Sequence, residues 1–115
     1  MVDAFVIQRS KWLRGRDMKS PDGESKLLDE EGRMCCLGFY SVACGLQEDQ
    51  ILNIGTPAHV APLPEEMEWL IDEKGHNSAE CNVLMRTNDQ RDDNDRERLI
   101  AFYFDLRDIA VTFKD

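Results

Sequence analysis

The sequence predicts an α+β fold, a mostly helical single domain with a small antiparallel hairpin or sheet. Three observations carry this. Apolar residues recur at helical spacing near both ends of the chain, the run MCCLGFYSVAC is closed by a glycine, and clusters of turn residues bound short stretches between them. At 115 residues and 42% hydrophobic the chain has material for one core and one domain, 1–115.

Val2, Phe5, Val6, Arg9 and Leu13 fall at helical spacing with Trp12 beside them, which predicts an amphipathic first helix over 2–14 stopped by Gly15. RDMKSPDGES then reads as a loop, because Pro21 pre-sets φ, Asp22 bonds its own backbone and Gly23 supplies a positive φ. Ser25 to Asp29 and Gly32 to Cys35 predict a short hairpin with Gly32 in the left-handed position. From Met34 the small and apolar run predicts a buried helix with Gly45 at its C-terminal end. Residues 46–62 are irregular, with room for a short strand. Leu63-Pro64-Glu65-Glu66 places proline and two acids where a helix begins, with Met67, Leu70 and Ile71 facing inward up to Gly75. Asn77 with Glu80 reads as a capping box for a helix ending near Asn88-Asp89. Asn94 with Glu97 opens a final helix over roughly 95–113, where Leu99, Ile100, Phe102, Tyr103, Leu106, Ile109, Ala110 and Phe113 repeat at threes and fours.

Charge narrows the function. The formal net charge is −9, which argues against a general phosphate-backbone binder and against direct DNA binding. Residues 1–20 carry a local +3, whereas from residue 61 onward 14 acidic side chains face seven basic ones. A basic or charge-patterned partner would feel that polarity at long range. No apolar run approaches the roughly 20 residues of a membrane helix, and the start lacks a signal-peptide pattern. The expectation is a cytoplasmic protein without a membrane partner, its thiols Cys35, Cys36, Cys44 and Cys81 reduced.

Several chemistries fail on spacing. Four cysteines with His59 and His76 invite zinc, but there is no C-x2-C or H-x3-H, and neither metal nor cofactor is expected. Cys36 precedes a helix whose N-terminus would lower a thiol pKa, yet nothing nominates a base beside it, so no catalytic residue is expected. NDQRDDND at 88–95 concentrates oxygen ligands without the order of a calcium loop and reads as a solvated connection. The seven glycines are scattered singly and make no phosphate cradle. Two surfaces remain as candidates: an acidic one at Asp89, Asp92, Asp93, Asp95 and Glu97 for protein binding, and Arg9, Trp12, Arg14 and Arg16 for an anion.

Lys11-Trp12-Leu13, the stretch Gly23 to Leu28, and Cys35-Cys36-Leu37-Gly38 together resemble a recurrent type of small phage and prophage protein with no agreed biochemical role. Those proteins carry a tryptophan helix, a glycine-rich loop, a short strand and a Cys-Cys-Leu-Gly helix ending near a further cysteine, here Cys44. Leu63-Pro64-Glu65-Glu66 with Trp69, and Leu84 to Asp89 before the last helix, extend the resemblance over most of the chain. Met85-Arg86-Thr87 and the charged QRDDNDRER depart from it. The resemblance implies a phage or prophage origin and supplies no catalytic residue. Small side chains at Cys36, Gly38, Ala43 and Cys44 fit close approach of other elements to that helix.

The expectation is therefore a non-enzymatic binding protein that inhibits a host defence or nucleic-acid-processing protein, such as a CRISPR complex or restriction enzyme, through its acidic surface. The alternative is a binder or sponge for a nucleotide signal; a third is an enzyme using Cys36 or Cys44.

Overall fold

The computed structural model describes residues 2–14, 26–90 and 93–115, with the side chains of Gln90 and Asp93 left undescribed. The order is β1 (Ala4–Gln8), a 3-10 turn (Arg9–Lys11), α1 (Cys36–Ala43), α2 (Glu48–Ile51), 3-10 turns at Pro57–His59 and Glu65–Leu70, α3 (Ala79–Gln90), α4 (Asp93–Asp105) and β2 (Ala110–Lys114). The α+β class holds. The sheet, however, is parallel, with Ala4 opposite Ala110 and Gln8 opposite Lys114. Its two strands come from opposite ends of the chain, so nearly the whole protein serves as the crossover that parallel pairing demands.

Both terminal helix predictions are corrected by this sheet. In β1, Phe5 and Ile7 are buried while Ala4, Val6 and Gln8 are exposed, which is a strand's two-residue period. No helix spans 2–14. The last helix ends at Asp105 rather than 113, because Asp108 takes a positive φ of 60° and turns the chain into β2.

The hairpin expected around Gly32 is reduced to a turn. Asp29 N–H bonds the Arg33 carbonyl and Cys35 N–H bonds that of Lys26, with Gly32 at φ 82°, but no strand pair forms. Met34 bridges Trp12 and Leu28 bridges Leu52 instead. Apart from that bridge, 46–62 forms no strand. The stretch after Pro64 is a 3-10 turn ending at Leu70 rather than a helix to Gly75. Ser78, not Asn77, caps α3: its hydroxyl accepts from Cys81 N–H at 3.1 Å, while Asn77 caps Ala58 N–H. α3 also runs past Asn88-Asp89 to Gln90. The loop expected at Pro21-Asp22-Gly23 and the stop at Gly15 lie outside the described residues.

α1 is the centre of the core, as its composition suggests. Leu37 and Cys36 are fully buried, and Gly45 at φ 102° ends the helix with paired bonds, Gly45 N–H to Val42 and Leu46 N–H to Ser41. Gly38 is where the 26–35 segment crosses: a Cβ there would collide with the Leu27 carbonyl oxygen and sit 2.8 Å from Met34 Cβ. Beside it, Phe5, Tyr40, Trp69 and Phe104 form an aromatic cluster with Phe5 and Phe104 edge to face at 4.9 Å. Tyr40 Oη donates to the Glu66 carbonyl and accepts from Trp69 Nε1, so both polar handles are satisfied in the core.

Candidate functional site

The parallel sheet sets the turn after β1 beside α4 and the C-terminus, and this joins Arg9 of one candidate surface to Glu97 of the other. Arg9 Nε and Nη2 donate to the two carboxylate oxygens of Glu97 at 2.8 Å each, and Nη1 donates to Asp115 at 2.8 Å. The planar guanidinium fork matches a carboxylate in this geometry. Those hydrogen bonds, Glu97 first, raise the pKa of Arg9 above its already high value. The best anion-binding candidate and one of the protein-binding carboxylates thus neutralise each other.

Trp12 lies three residues further on and is 2% exposed. Its indole N–H donates to Asn88 Oδ1 at 2.7 Å, and the same oxygen accepts from Cys36 N–H at 3.0 Å. Asn88 Nδ2 donates to the Leu13 carbonyl and to Asp89, so all four hydrogen-bonding positions of the amide are used. Cys35 supplies no side-chain cap to α1, and Asn88, reaching across from α3, satisfies one of the N–H groups a helix start leaves open. Arg14 stands 4.8 Å from the Trp12 ring centroid and Arg96 5.9 Å, with the Phe113 ring at 5.3 Å. The indole is enclosed by its own protein and offers no open face for a base to stack upon.

The remaining candidates spread out. Asp89 is half-buried within the Asn88 network. Asp95 is on the surface, 3.0 Å from Arg98 one turn on. Asp93 opens α4 with only its backbone described, and Asp92 and Arg16 lie outside the described residues. Sequence reasoning missed Asn88 and Arg96. Asn88 carried no local signal, but Arg96 precedes Ile100 by four residues and Phe104 by eight, which puts it on α4's apolar stripe and explains its 1% exposure.

The thiols are set against ionisation. Burial pushes Cys35 and Cys81 up to about 12 and Cys44 to about 11, and raises Cys36 well above the ordinary thiol value of 9.0. Cys36 begins α1, where a helix N-terminus favours a thiolate, yet burial outweighs that effect. Among the described residues no three His, Cys, Asp or Glu side chains are grouped to hold a metal, and no helix is long and apolar enough to cross a membrane.

No protein-family model matches the chain, and neither a curated protein nor a solved structure matches it.

Proposed function

We propose that this chain is a non-enzymatic, phage- or prophage-derived binding protein that inhibits a host defence or nucleic-acid-processing protein by occupying a basic groove with its carboxylates. One observation carries the reading. Six of the seven described arginines are turned toward the protein itself, Arg9 to Glu97 and Asp115, Arg33 to Asp29 and Glu31, Arg98 to Asp95, Arg107 to Glu80, and Arg14 and Arg96 to the Trp12 ring, with Arg86 the exposed exception. Surplus carboxylates, among them Glu48, Asp49, Glu65, Glu68, Asp105 and Asp108, face solvent. With a net charge of −9 the outside world meets a predominantly negative surface, and such a surface steers association with a basic one and competes there with nucleic acid. The phage origin rests on the Cys-Cys-Leu-Gly resemblance.

The raised thiols support a non-enzymatic role. The enclosure of Trp12 and the engagement of Arg9 weigh against the nucleotide-sponge alternative, since both groups that would read a base and a phosphate are occupied.

The test is affinity purification of the tagged chain from a bacterial host lysate at low and moderate salt, with mass spectrometry of what is retained. The expected result is a stoichiometric nucleic-acid-processing enzyme lost as salt rises, and lost at low salt when Asp92, Asp93 and Asp95 are reversed to Lys. Retention of that partner by the triple reversal would refute the acidic contact. A nucleotide released on denaturation, with no protein retained, would establish the small-molecule reading instead.

A further inference from the structure

The sheet has an open edge. Ala110 N–H bonds the Asp3 carbonyl at 2.9 Å, and the parallel register then turns the backbone groups of Ala110, Thr112 and Lys114 toward β1. Those of Val111 and Phe113 point the other way, and among the described residues nothing pairs with them. Alongside runs a surface groove of about 360 Å3 between α4 and β2, lined by Ala101, Phe102, Asp105, Ile109, Ala110 and Val111. Phe102 is 52% and Leu106 65% exposed, the two most exposed large apolar side chains among the described residues. An unpaired strand beside exposed apolar surface is a template for another strand.

We propose that this edge pairs antiparallel with the same edge of a second copy of the chain, making a four-stranded sheet in the order β1-β2-β2-β1. Charge selects the occupant. On a chain of net charge −9, the sheet's solvent face, Ala4, Val6, Gln8, Ala110, Thr112 and Lys114, carries no carboxylate and one cation. Two copies meeting across this face set no carboxylate against another there, and the one acid lining the adjoining groove is Asp105.

The register follows from the backbone. The strand has two outward-facing residues, so a twofold pairing that uses all four of their groups sets Val111 against Phe113 of the partner, with Thr112 facing Thr112 across the axis. Lys114 then lies opposite the partner's Ala110. Val111 against Phe113 is an apolar cross-strand pair, the partner's strand covers the groove, and each dimer displays the acidic surface twice. This self-pairing stands independently of what the acidic surface binds.

The experiment is analytical ultracentrifugation of the full chain over a wide concentration range, with Thr112→Lys and Thr112→Glu. Both side chains project from the exposed face, so the monomer's fold is preserved, and circular dichroism checks this. Wild type passes from the 13.3 kDa monomer to a dimer as concentration rises. Each variant alone sets like charges opposite each other and weakens the dimer by about tenfold or more, whereas an equimolar mixture of the two restores it. A wild-type chain that stays monomeric throughout overturns the proposal and leaves the edge to an extended segment of another protein. A dimer indifferent to both charges overturns it too, by placing the interface elsewhere.

Discussion

Arg9 and Glu97, 88 residues apart, form a two-pronged ion pair with both contacts at 2.8 Å, and the same guanidinium holds Asp115. The start of the chain, the first turn of α4 and the C-terminal residue are thereby joined at one group. The pair is partly shielded, with the Glu97 side chain 22% exposed.

Glu97 and Asp95 should therefore separate when mutated, although they stand two residues apart. Glu97→Gln keeps the shape and removes the charge, so it lowers the urea midpoint, by less in moderate salt than in low salt because the pair is incompletely screened. Asp95→Lys breaks an exposed pair with Arg98 and costs less stability than Glu97→Gln, yet it weakens partner capture. Equal loss of stability in the two variants would contradict this division between scaffold and surface.

Asn88 is a more demanding position. Asn88→Ala strips partners from the Trp12 indole N–H, the Cys36 N–H and the Leu13 carbonyl, all in the interior. An unsatisfied buried group costs about 1–3 kcal/mol, and with some relaxation the expected loss is about 3 kcal/mol in a urea titration. Trp12→Phe removes one of these bonds and should cost less. Asn88→Asp keeps the two accepted bonds but loses the donation to Leu13 and sets a second carboxylate against Asp89, so its deficit shrinks as pH falls through the carboxylate range.

These two positions mark what the amino-acid pattern disclosed and what it hid. α1 was legible because its composition and Gly45 agree on a buried helix with a glycine end, and α4 because of its apolar stripe, although it opens at Asp93 and so takes in Asn94, the residue expected to cap it. β1 was misread because Val2, Phe5, Val6 and Leu13 fall at helical spacing while Phe5 and Ile7 alternate, an ambiguity that short apolar runs carry. The same holds for Ile109, Ala110 and Phe113, which continue the spacing of α4 by coincidence; the break lies at Asp108, where neither glycine nor proline marks the turn. Parallel pairing of the two ends leaves no local trace at either. The contact of Trp12 with Asn88 spans 76 residues and is equally invisible, whereas the place of Arg96 on the α4 stripe was readable.

Gly38 turns the Cys-Cys-Leu-Gly motif into a packing statement. Gly38→Ala drives a methyl group into the Leu27 backbone, which cannot swing aside as a side chain would, and Leu27 N–H is itself bonded to Ile54 at 2.8 Å. Overpacking of this kind costs about 3 kcal/mol. Gly55→Ala is the matched control: no atom lies within 4 Å of the added Cβ and its φ is not in the positive range. It should be neutral or stabilise by about 0.5 kcal/mol, by restricting the unfolded chain. Thermal melts of the two variants give the comparison directly, and a Gly38→Ala protein as stable as Gly55→Ala would remove the steric account of the motif.

The thiols predict how the protein responds to alkali. Cys35 and Cys81 ionise near 9.0 when unfolded and at about 12 when folded, because burial disfavours the thiolate. Below pH 9 the folded and unfolded chains both hold these protons and stability is unaffected. Above it the unfolded chain loses them first, so stability falls as pH rises toward 12, with a slope of about 1.4 kcal/mol per pH unit for each thiol so held. Urea titrations between pH 7.5 and 10.5 should show this decline, and Cys81→Ala, although less stable at pH 7 for want of a packed sulfur, should decline less steeply. A thiol reagent at pH 8 should modify half-buried Cys44 first, and Cys35, Cys36 and Cys81 only at the rate of unfolding. Rapid native labelling of Cys36 would reverse the reading of these cysteines as packing groups and restore a nucleophile to the protein.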